Sequence, residues 1–500
     1  MKYKRYIYTS LICGALFSSC AKLEEVPYGE SSTANFYKTE ADANAAIVYA
    51  YAILPEVGYY SRGYYVITEE PTENLTQKSD AGADQFEFDE LRSTANNSFL
   101  NVIWSYMYVA VTRANSVISY VPNVTMAEAG KNQIVGEGYF LRALNYFNLV
   151  RLFGEVPLRL EPITSSDQLP AAKASLNDIY NLIISDLQKA EELMGTDKRE
   201  GRANKVAAQA LLSKVYLFLA SAKSSGSPGY DFVSNSDEMY ANAKTYAGKV
   251  INGQSVYGFT DNLLDIWDIS KYKNAGNVTE HIFDAAVDRS GEQEGNFSKL
   301  PLMFIPYVGS GFDMTLPDGT ICKAGWNHFQ TEPGIYNSYA SNDKRKTDLI
   351  VSSVKDPEGN VYNLKITDFS RPFTRKYIDP NRVGDANSTN SPVIRYSDIL
   401  LVYAEASGPT PEGYAAINKI RNRAGIGDLA PNLSAQAFRD AVIQERSWEL
   451  AFEGDRLFDL RRTNSMDKVL VQKYGKTITS GAYFFPIPQQ EIDTNPLINQ

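Results

Sequence analysis

Two carboxylates near the C-terminus have a spacing that acid–base chemistry could use. Glu449 and Glu453 are four residues apart, so a helix would place both on one face. A glycoside hydrolase uses such a pair as acid and nucleophile, about 5–10 Å apart across an accessible cleft. Four arginines alternate with the acids of this segment and favour an ion-pair network instead: Arg446, Arg456, Arg461 and Arg462. Because ion pairing lowers the pKa of a carboxyl, we predict that this cluster is structural.

The chain offers few other groups for catalysis or metal binding. No phosphate-binding loop, zinc motif, nucleophile elbow or EF-hand is present in the sequence. We predict no cofactor, although carboxylates in residues 80–90 could hold a structural Ca²⁺ ion. The formal net charge of −10 argues against nucleic acid, which requires clustered positive charge. Histidine and cysteine are limited to His281, His328, Cys13, Cys20 and Cys322.

The N-terminus has the features of a lipoprotein signal. Lys2, Lys4 and Arg5 precede a mostly apolar stretch, residues 7–17, that is too short to cross a bilayer. Residues 16–20, LFSSC, resemble a bacterial lipobox, so we predict that residues 1–19 are removed and that Cys20 carries lipid. An ordinary cleaved secretory signal is the alternative. Residues 20–40 are predicted to form a polar tether, and its acidic start resembles a surface-export signal of Bacteroidetes.

Helical periodicity dominates the rest of the chain. Apolar residues spaced three and four apart predict helices over 41–54, 100–121, 132–153, 175–194, 203–223, 237–252, 396–406, 411–424 and 434–455. Ser434 can cap the last of these. Helix pairs of this length in series predict a mainly α fold with a tetratricopeptide-like scaffold. Residues 253–392 instead contain short alternating runs separated by Gly, Pro and Asn, which indicates a second lobe or a binding surface.

Seven segments resemble, in the same order, the sequence blocks of the SusD/RagB family of Bacteroidetes outer-membrane lipoproteins. The resemblance implies a single domain over residues 41–500. In it, a tetratricopeptide-like helical scaffold, about 41–252 and 393–470, carries a loop-rich ligand-binding lobe with short strands, about 253–392. The seven segments are Trp104–Asn115, Gly136–Phe147, Arg151–Leu158, Arg395–Ala406, Ile417–Gly425, Glu445–Arg462 and Pro486–Pro496.

The same resemblance implies a function without catalysis. A protein of this family would bind an oligosaccharide or polysaccharide at the outer face of the outer membrane, where its acyl chain anchors it. It would deliver that nutrient to a SusC-like TonB-dependent transporter. Capture of a peptide or another nutrient by the same architecture is the first alternative. A glycoside hydrolase and a tetratricopeptide adaptor that binds only proteins are the others.

Ligand contacts in this family lie in variable loops, so the candidates here are chosen by chemistry. A sugar needs an exposed aromatic ring for its C–H face and polar side chains for its hydroxyls. Two glycine-containing loops offer both, and Trp326 is the strongest single candidate. The first loop provides Tyr60, Arg62, Tyr64, Tyr65 and Asp80, and the second provides Tyr307, Phe312, Trp326, Asn327 and His328.

Overall fold

The computed structural model describes residues 36–253, 256–273, 278–290, 297–308, 313–478 and 482–499. The predicted signal peptide, the lipidation site Cys20 and Phe312 lie outside these residues. The N-terminal half is almost entirely helical. Its helices are α1 (Glu40–Tyr51), α2 (Gly63–Glu69), α3 (Ala83–Asp89), α4 (Ser98–Tyr120), α5 (Glu128–Phe153), α6 (Leu176–Leu193), α7 (Lys205–Ser224) and α8 (Ser236–Asn252).

Short helices interrupt the middle of the chain, and long ones return near its end. The middle contains α9 (Ile269–Tyr272), α10 (Leu300–Phe304), α11 (Pro333–Ser338) and α12 (Lys344–Thr347). The C-terminal part contains α13 (Tyr396–Ser407), α14 (Pro411–Arg423), α15 (Ala435–Glu449), α16 (Arg456–Arg462), a π-helical segment (Asp467–Lys473) and α17 (Gln489–Thr494). The mainly α prediction is confirmed.

The long helices pack against one another in series. Helix α5 packs between α4 and α6, α7 packs on α8, and α13 joins α8 to α14. Close approach depends on small residues. A Cβ added to Gly136 of α5 would lie 2.6 Å from the Met194 side chain, and one added to Gly138 would lie 3.1 Å from Ile118. Larger residues at these two positions would therefore separate α5 from the helices on either side of it.

The predicted helix over 434–455 ends earlier than its periodicity indicates. Ser434 caps α15 as expected, because its side chain accepts a hydrogen bond from the Ala437 N–H at 3.2 Å. The helix ends at Glu449, and the chain then turns through Phe452 at φ 70° and Gly454 at φ 88°. Glu453 therefore lies in a turn, and the prediction that it shares a helix face with Glu449 is wrong.

The middle of the chain forms short antiparallel strands. They are β1 (Leu75–Gln77), β2 (His281–Ala285), β3 (Met314–Thr315), β4 (Ile321–Cys322), β5 (Phe329–Thr331), β6 (Ile350–Val351), β7 (Ser353–Lys355), β8 (Val361–Asn363), β9 (Phe373–Thr374) and β10 (Ser391–Arg395). The sheets are β1–β5, β2–β10, β6–β9 and β4–β3–β7–β8. The four-stranded sheet has a small apolar core of its own around Met314 and Val354, separate from the main helical core.

The long helices carry no membrane-spanning stretch. Across the part of the chain that the structure describes, none of the helices is both long enough and apolar enough to cross a bilayer.

Candidate functional site

A short pair of strands brings the two predicted loops together. β1 runs antiparallel to β5, with Gln77 opposite Phe329. One residue further, the Lys78 N–H donates a hydrogen bond to the His328 carbonyl at 3.1 Å. The polar end of the first loop therefore lies beside the segment of the second loop that contains Trp326 and His328.

Asn327 fixes the shape of the second loop. Its backbone N–H donates to the Ile305 carbonyl at 3.1 Å, and its Nδ2 donates to the Phe369 carbonyl at 2.8 Å. Its φ of 57° lies in the left-handed region, which asparagine tolerates better than most residues. The Asn327 side chain is buried. The prediction that it contacts a ligand is therefore wrong: its amide group holds two loops together inside the protein.

Three large rings around this buried asparagine remain exposed. Trp326 and Tyr307 are each 39% exposed, and Phe369 is 49% exposed. The Tyr307 and Phe369 rings meet edge to face, with centroids 6.0 Å apart and planes at 64°. The Trp326 ring meets His328 at the same centroid distance and at 68°. We call Tyr307, Trp326, His328 and Phe369 the aromatic cluster.

Charged side chains border the aromatic cluster. Lys78 Nζ lies 3.1 Å from Asp80 Oδ1 and donates to the Trp326 carbonyl at 3.4 Å. Arg62 is partly buried, with its guanidinium 5.2 Å from the Phe99 ring. The charges of Arg62 and Asp80 both act on His328, so these two residues of the first predicted loop lie near this surface; their contact with a sugar stays a prediction.

His328 is neutral at physiological pH in this setting. Burial lowers its pKa below the ordinary 6.5, and the positive charges of Lys78 and Arg62 lower it further, whereas Asp80 acts weakly in the opposite direction. A neutral imidazole has one N–H donor and one acceptor nitrogen. It can therefore offer both kinds of hydrogen bond to a neighbouring hydroxyl group.

The tyrosines of the first loop are not part of this surface. Tyr60, Tyr64 and Tyr65 are buried in the main core, so the predicted stacking platform is wrong. The Tyr60 hydroxyl accepts a hydrogen bond from Asn148 Nδ2 at 2.7 Å. The neighbouring glycine indicates close packing and not exposure, because a Cβ on Gly63 would lie 2.4 Å from the Gly58 carbonyl oxygen.

Phe369 is the site residue that sequence reasoning missed. It is an aromatic residue between Asp368 and Ser370, in a polar stretch outside the predicted helices. That context resembles the one that singled out Trp326, but no glycine flanks it, and glycine was the signal used to choose loops. Phe312, the remaining aromatic candidate of the second loop, lies outside the described residues.

The carboxylates that opened the sequence analysis form a buried ion-pair network. Arg395 Nε lies 2.6 Å from Glu453 Oε2, and its Nη2 lies 3.2 Å from Glu449 Oε1. Although burial opposes ionisation, the guanidinium groups of Arg423, Arg395 and Arg345 outweigh it and lower the pKa of Glu449 to about 2. The predicted ion-pair network is confirmed, because both carboxylates are buried and paired with Arg395.

Pairing does not lower the pKa of every acid in the network. Burial raises the pKa of Glu445 despite its contact with Arg345 at 2.6 Å. Burial also raises the pKa of Asp455, although this carboxylate lies beside Lys214. The sequence prediction that all paired carboxyls here have lowered pKa values is therefore wrong for these two.

A second acidic group lies at the opposite end of the β1–β5 pair. Glu332 and Glu73 line a cavity of about 470 Å³ with Asp89 and Glu90. Burial raises the pKa of Glu332. Two of the other acids are already paired with basic side chains: Glu73 contacts Arg456, and Asp89 contacts Lys476. Within the described ranges no three Asp, Glu, His or Cys side chains are arranged to bind a metal ion.

The geometry defines a class of protein: a helical-repeat scaffold that displays a small aromatic surface with a polar border. Residues 23–217 match a family described as "Starch-binding associating with outer membrane", and residues 363–500 match the SusD family. SusD-like protein P2 of Formosa agariphila is 24% identical, over 98% of both chains.

Solved structures share the fold over almost the whole chain. A laminarin-binding SusD-like protein superposes with a TM-score of 0.75 at 24% identity, covering 92% of this chain and 99% of the other. Surface glycan-binding protein A of Bacteroides thetaiotaomicron, in complex with laminarihexaose, gives a TM-score of 0.72 at 21% identity, covering 91% and 98%. The chain belongs to the SusD family.

Proposed function

We propose that this protein binds a neutral glycan on the aromatic cluster, without catalysis, and passes it to a SusC-like TonB-dependent transporter. The shared exposure of Trp326, Tyr307 and Phe369 in one loop cluster is the observation that carries the proposal. Exposed rings of this size stack on the C–H faces of sugars, while His328, Lys78 and Asp80 can bond to hydroxyl groups. Lipidation of Cys20 would anchor the chain to the outer membrane, facing outwards.

The angles between the rings favour a curved glycan over a flat one. The Tyr307 and Phe369 planes differ by 64°, so a straight, ribbon-like chain cannot stack on both rings. A helical glucan changes direction from one residue to the next and can present a C–H face to each ring in turn. Two relatives in structure are named for laminarin or contain laminarihexaose, and one matching family is named for starch. We infer a helical glucan as the ligand class.

A panel of hexasaccharides tests this proposal. We expect laminarihexaose or maltohexaose to bind to the full mature chain at least about tenfold more tightly than cellohexaose, a difference of roughly 1.4 kcal/mol. Titration calorimetry at neutral pH measures all three dissociation constants, and affinity electrophoresis in the matching polysaccharides checks the ranking.

Two results of the same panel would contradict the proposal. Equal or tighter binding of cellohexaose would show that ring geometry does not select a curved chain. Binding of none of the glycans, with binding of a peptide mixture, would favour the peptide alternative.

The absence of catalysis is checked on the same samples. Reducing ends that appear with the wild type but not with Glu332→Gln would show that the acidic cavity hydrolyses the glycan.

We also expect glycan affinity to depend on pH through His328. Burial and the charges of Lys78 and Arg62 lower its pKa, so the ring is neutral at and above neutral pH, and affinity is constant there. Below its lowered pKa the ring gains a proton and loses its acceptor nitrogen. Affinity then falls by at most about tenfold per pH unit. Calorimetry between pH 4.5 and pH 8 measures the profile.

The variant His328→Gln separates this titration from other effects of acid. Glutamine keeps a donor and an acceptor but does not titrate, so its profile should be flat over the range where the wild type declines. A wild-type decline that already begins between pH 8 and pH 7, or the same decline in His328→Gln, would assign the titration to another group.

A further inference from the structure

A polar cavity of about 550 Å³ lies in the helical scaffold and shares no residue with the aromatic cluster. Helices α7, α8, α13, α15 and α16 line it together with the π-helical segment. Its volume is within the range of about 300–1,000 Å³ that small-molecule sites occupy. Hydroxyl and amide groups form much of its wall, among them those of Ser224, Ser225, Gln436, Gln444, Thr463 and Ser465.

One wall of this cavity carries a guanidinium group that is held in place but not paired. Arg439 of α15 lies over the ring of Tyr240 on α8, with Cζ 4.4 Å from the ring centroid. Its Nε is buried and donates no hydrogen bond, and none of the carboxylates that the structure describes lies at ion-pair distance from it. Stacking on Tyr240 fixes the plane of the group, and a fixed guanidinium can hold an anion through two parallel N–H bonds.

A second guanidinium group lines the same cavity from α16. Arg456 is buried, and its Nε and Nη2 donate to Glu73 at 2.8 Å and 2.5 Å, so that Glu73 balances its charge. Its Nη1 is also buried but has no hydrogen-bond partner in the described part of the chain. Because a buried N–H without an acceptor costs free energy, a ligand oxygen that accepts from Nη1 would be stabilised there.

The π-helical segment adds two ammonium groups to the cavity. Lys468 and Lys473 both line it, and both side chains are exposed. In an α-helix, residues five positions apart point about 140° away from each other. In a π-helix, the hydrogen bond between residues i and i+5 places such residues one turn apart on the same side. The π-helical winding therefore brings both lysines to the side of the segment that faces the cavity.

The lining has an excess of positive charge. Two carboxylates are among its described residues, and one of them, Glu405, is paired through both oxygens with Arg462. The other, Asp440, accepts a hydrogen bond from Gln436 Nε2 at 2.9 Å. Arg439 and the two lysines have no ion-pair partner among the described residues, so Asp440 is the single carboxylate left to balance three cations. On a chain with a formal net charge of −10, such a cavity should attract anions.

We propose that this cavity binds an anionic sugar, one with a carboxylate or a sulfate group, separately from the neutral glycan on the aromatic cluster. The anionic group would accept hydrogen bonds from Arg439 and lie near Lys468 and Lys473. The sugar hydroxyls would bond to Arg456 Nη1 and to the serine, threonine and amide side chains. A bare inorganic ion would leave most of the volume and these polar groups unused. The proposal does not depend on the proposed function, because the two sites share no residue.

Titration calorimetry on the mature chain, from residue 20 onwards and with Cys20→Ser, tests this proposal. The probes are digalacturonate and a sulfated lactose, and their neutral matches are the methyl ester of digalacturonate and lactose itself. We expect at least one anionic probe to bind about tenfold more tightly than its neutral match. Arg439→Gln should weaken that binding by about tenfold, and Lys468→Gln, at an exposed position that does not threaten folding, by about threefold. Lys189→Gln, on an exposed part of α6, is the matched control and should leave it unchanged.

The ranking of the probes decides between explanations. Tighter binding of digalacturonate supports a uronate as the ligand, and tighter binding of the sulfated lactose supports a sulfate ester. Failure of both anionic probes to bind, equal binding of the neutral matches, or binding that survives both glutamine substitutions would overturn the proposal. Sodium sulfate that binds as tightly as the sugars would show a site for an ion only. Displacement of the anionic probe by laminarihexaose would place it on the aromatic cluster, which also overturns the proposal.

Discussion

Replacing Arg395 by methionine is expected to lower the free energy of unfolding by about 3–5 kcal/mol. Arg395 is fully buried, and its guanidinium lies 2.7 Å from Glu280, 2.6 Å from Glu453 and 3.2 Å from Glu449. Methionine fills much of the same volume but removes the positive charge, so three buried carboxylates lose a shared partner. Urea unfolding followed by circular dichroism measures the difference.

Two further substitutions show that the effect comes from burial and not from loss of an ion pair as such. Arg92→Ala removes the partner of Glu90 at the surface, and we expect a change below about 1 kcal/mol. Arg421→Met removes a partly buried partner of Glu445 and should give an intermediate loss even if Arg395→Met does not fold. A loss below about 1 kcal/mol in Arg395→Met would show that the network is dispensable for stability.

The same network sets the acid sensitivity of the wild type. The pKa of Glu449 is lowered to about 2 in the folded protein, below its value of about 4.3 in an unfolded chain. Its contribution to stability is therefore complete above about pH 4.3 and is lost as the pH falls towards 2. In Arg395→Met one of the charges that holds this pKa down is absent, so the loss due to Glu449 should be smaller and should be complete at a higher pH.

The scaffold could be predicted from sequence because its helices follow apolar periodicity. Helix α4 was expected over 100–121 and observed as Ser98–Tyr120. The error in α15 has a clear physical origin. Periodicity continues through Leu450 and Phe452, because both are buried, but the backbone leaves the helix at Glu449. Burial pattern alone does not distinguish a helix from a turn that packs against the same core.

The site could be predicted only in part, because exposure depends on tertiary packing. Glycine beside tyrosine occurs both where a loop is open and where two backbones touch. At Gly63 two backbone segments touch, and Tyr64 and Tyr65 are buried by α16 and the rest of the core. Trp326 was correctly placed on an exposed loop, but the strand pairing that brings Lys78 beside His328 joins residues 250 positions apart in the chain. A pairing between such distant residues cannot be predicted from the local sequence of either segment.

Replacing Trp326 by alanine is expected to weaken glycan binding by about 10- to 100-fold, or roughly 1.4–2.7 kcal/mol. The backbone of Trp326 is held by its N–H bond to the Leu302 carbonyl at 2.6 Å, so alanine should keep the loop in place. The side chain is 39% exposed, and its removal should change the free energy of unfolding by less than about 1 kcal/mol. Calorimetry with the tightest hexasaccharide measures the binding loss.

Comparison within the aromatic cluster then separates direct stacking from general loss of apolar surface. Phe369→Ala removes one exposed ring and should weaken binding by less than Trp326→Ala, because the Trp326 ring offers the larger stacking area. Tyr49→Ala removes a more exposed ring on α1, outside the cluster, and should leave affinity unchanged. If Trp326→Ala binds as tightly as the wild type while Tyr49→Ala does not, the glycan binds beside Tyr49 on α1 and the aromatic cluster has another role.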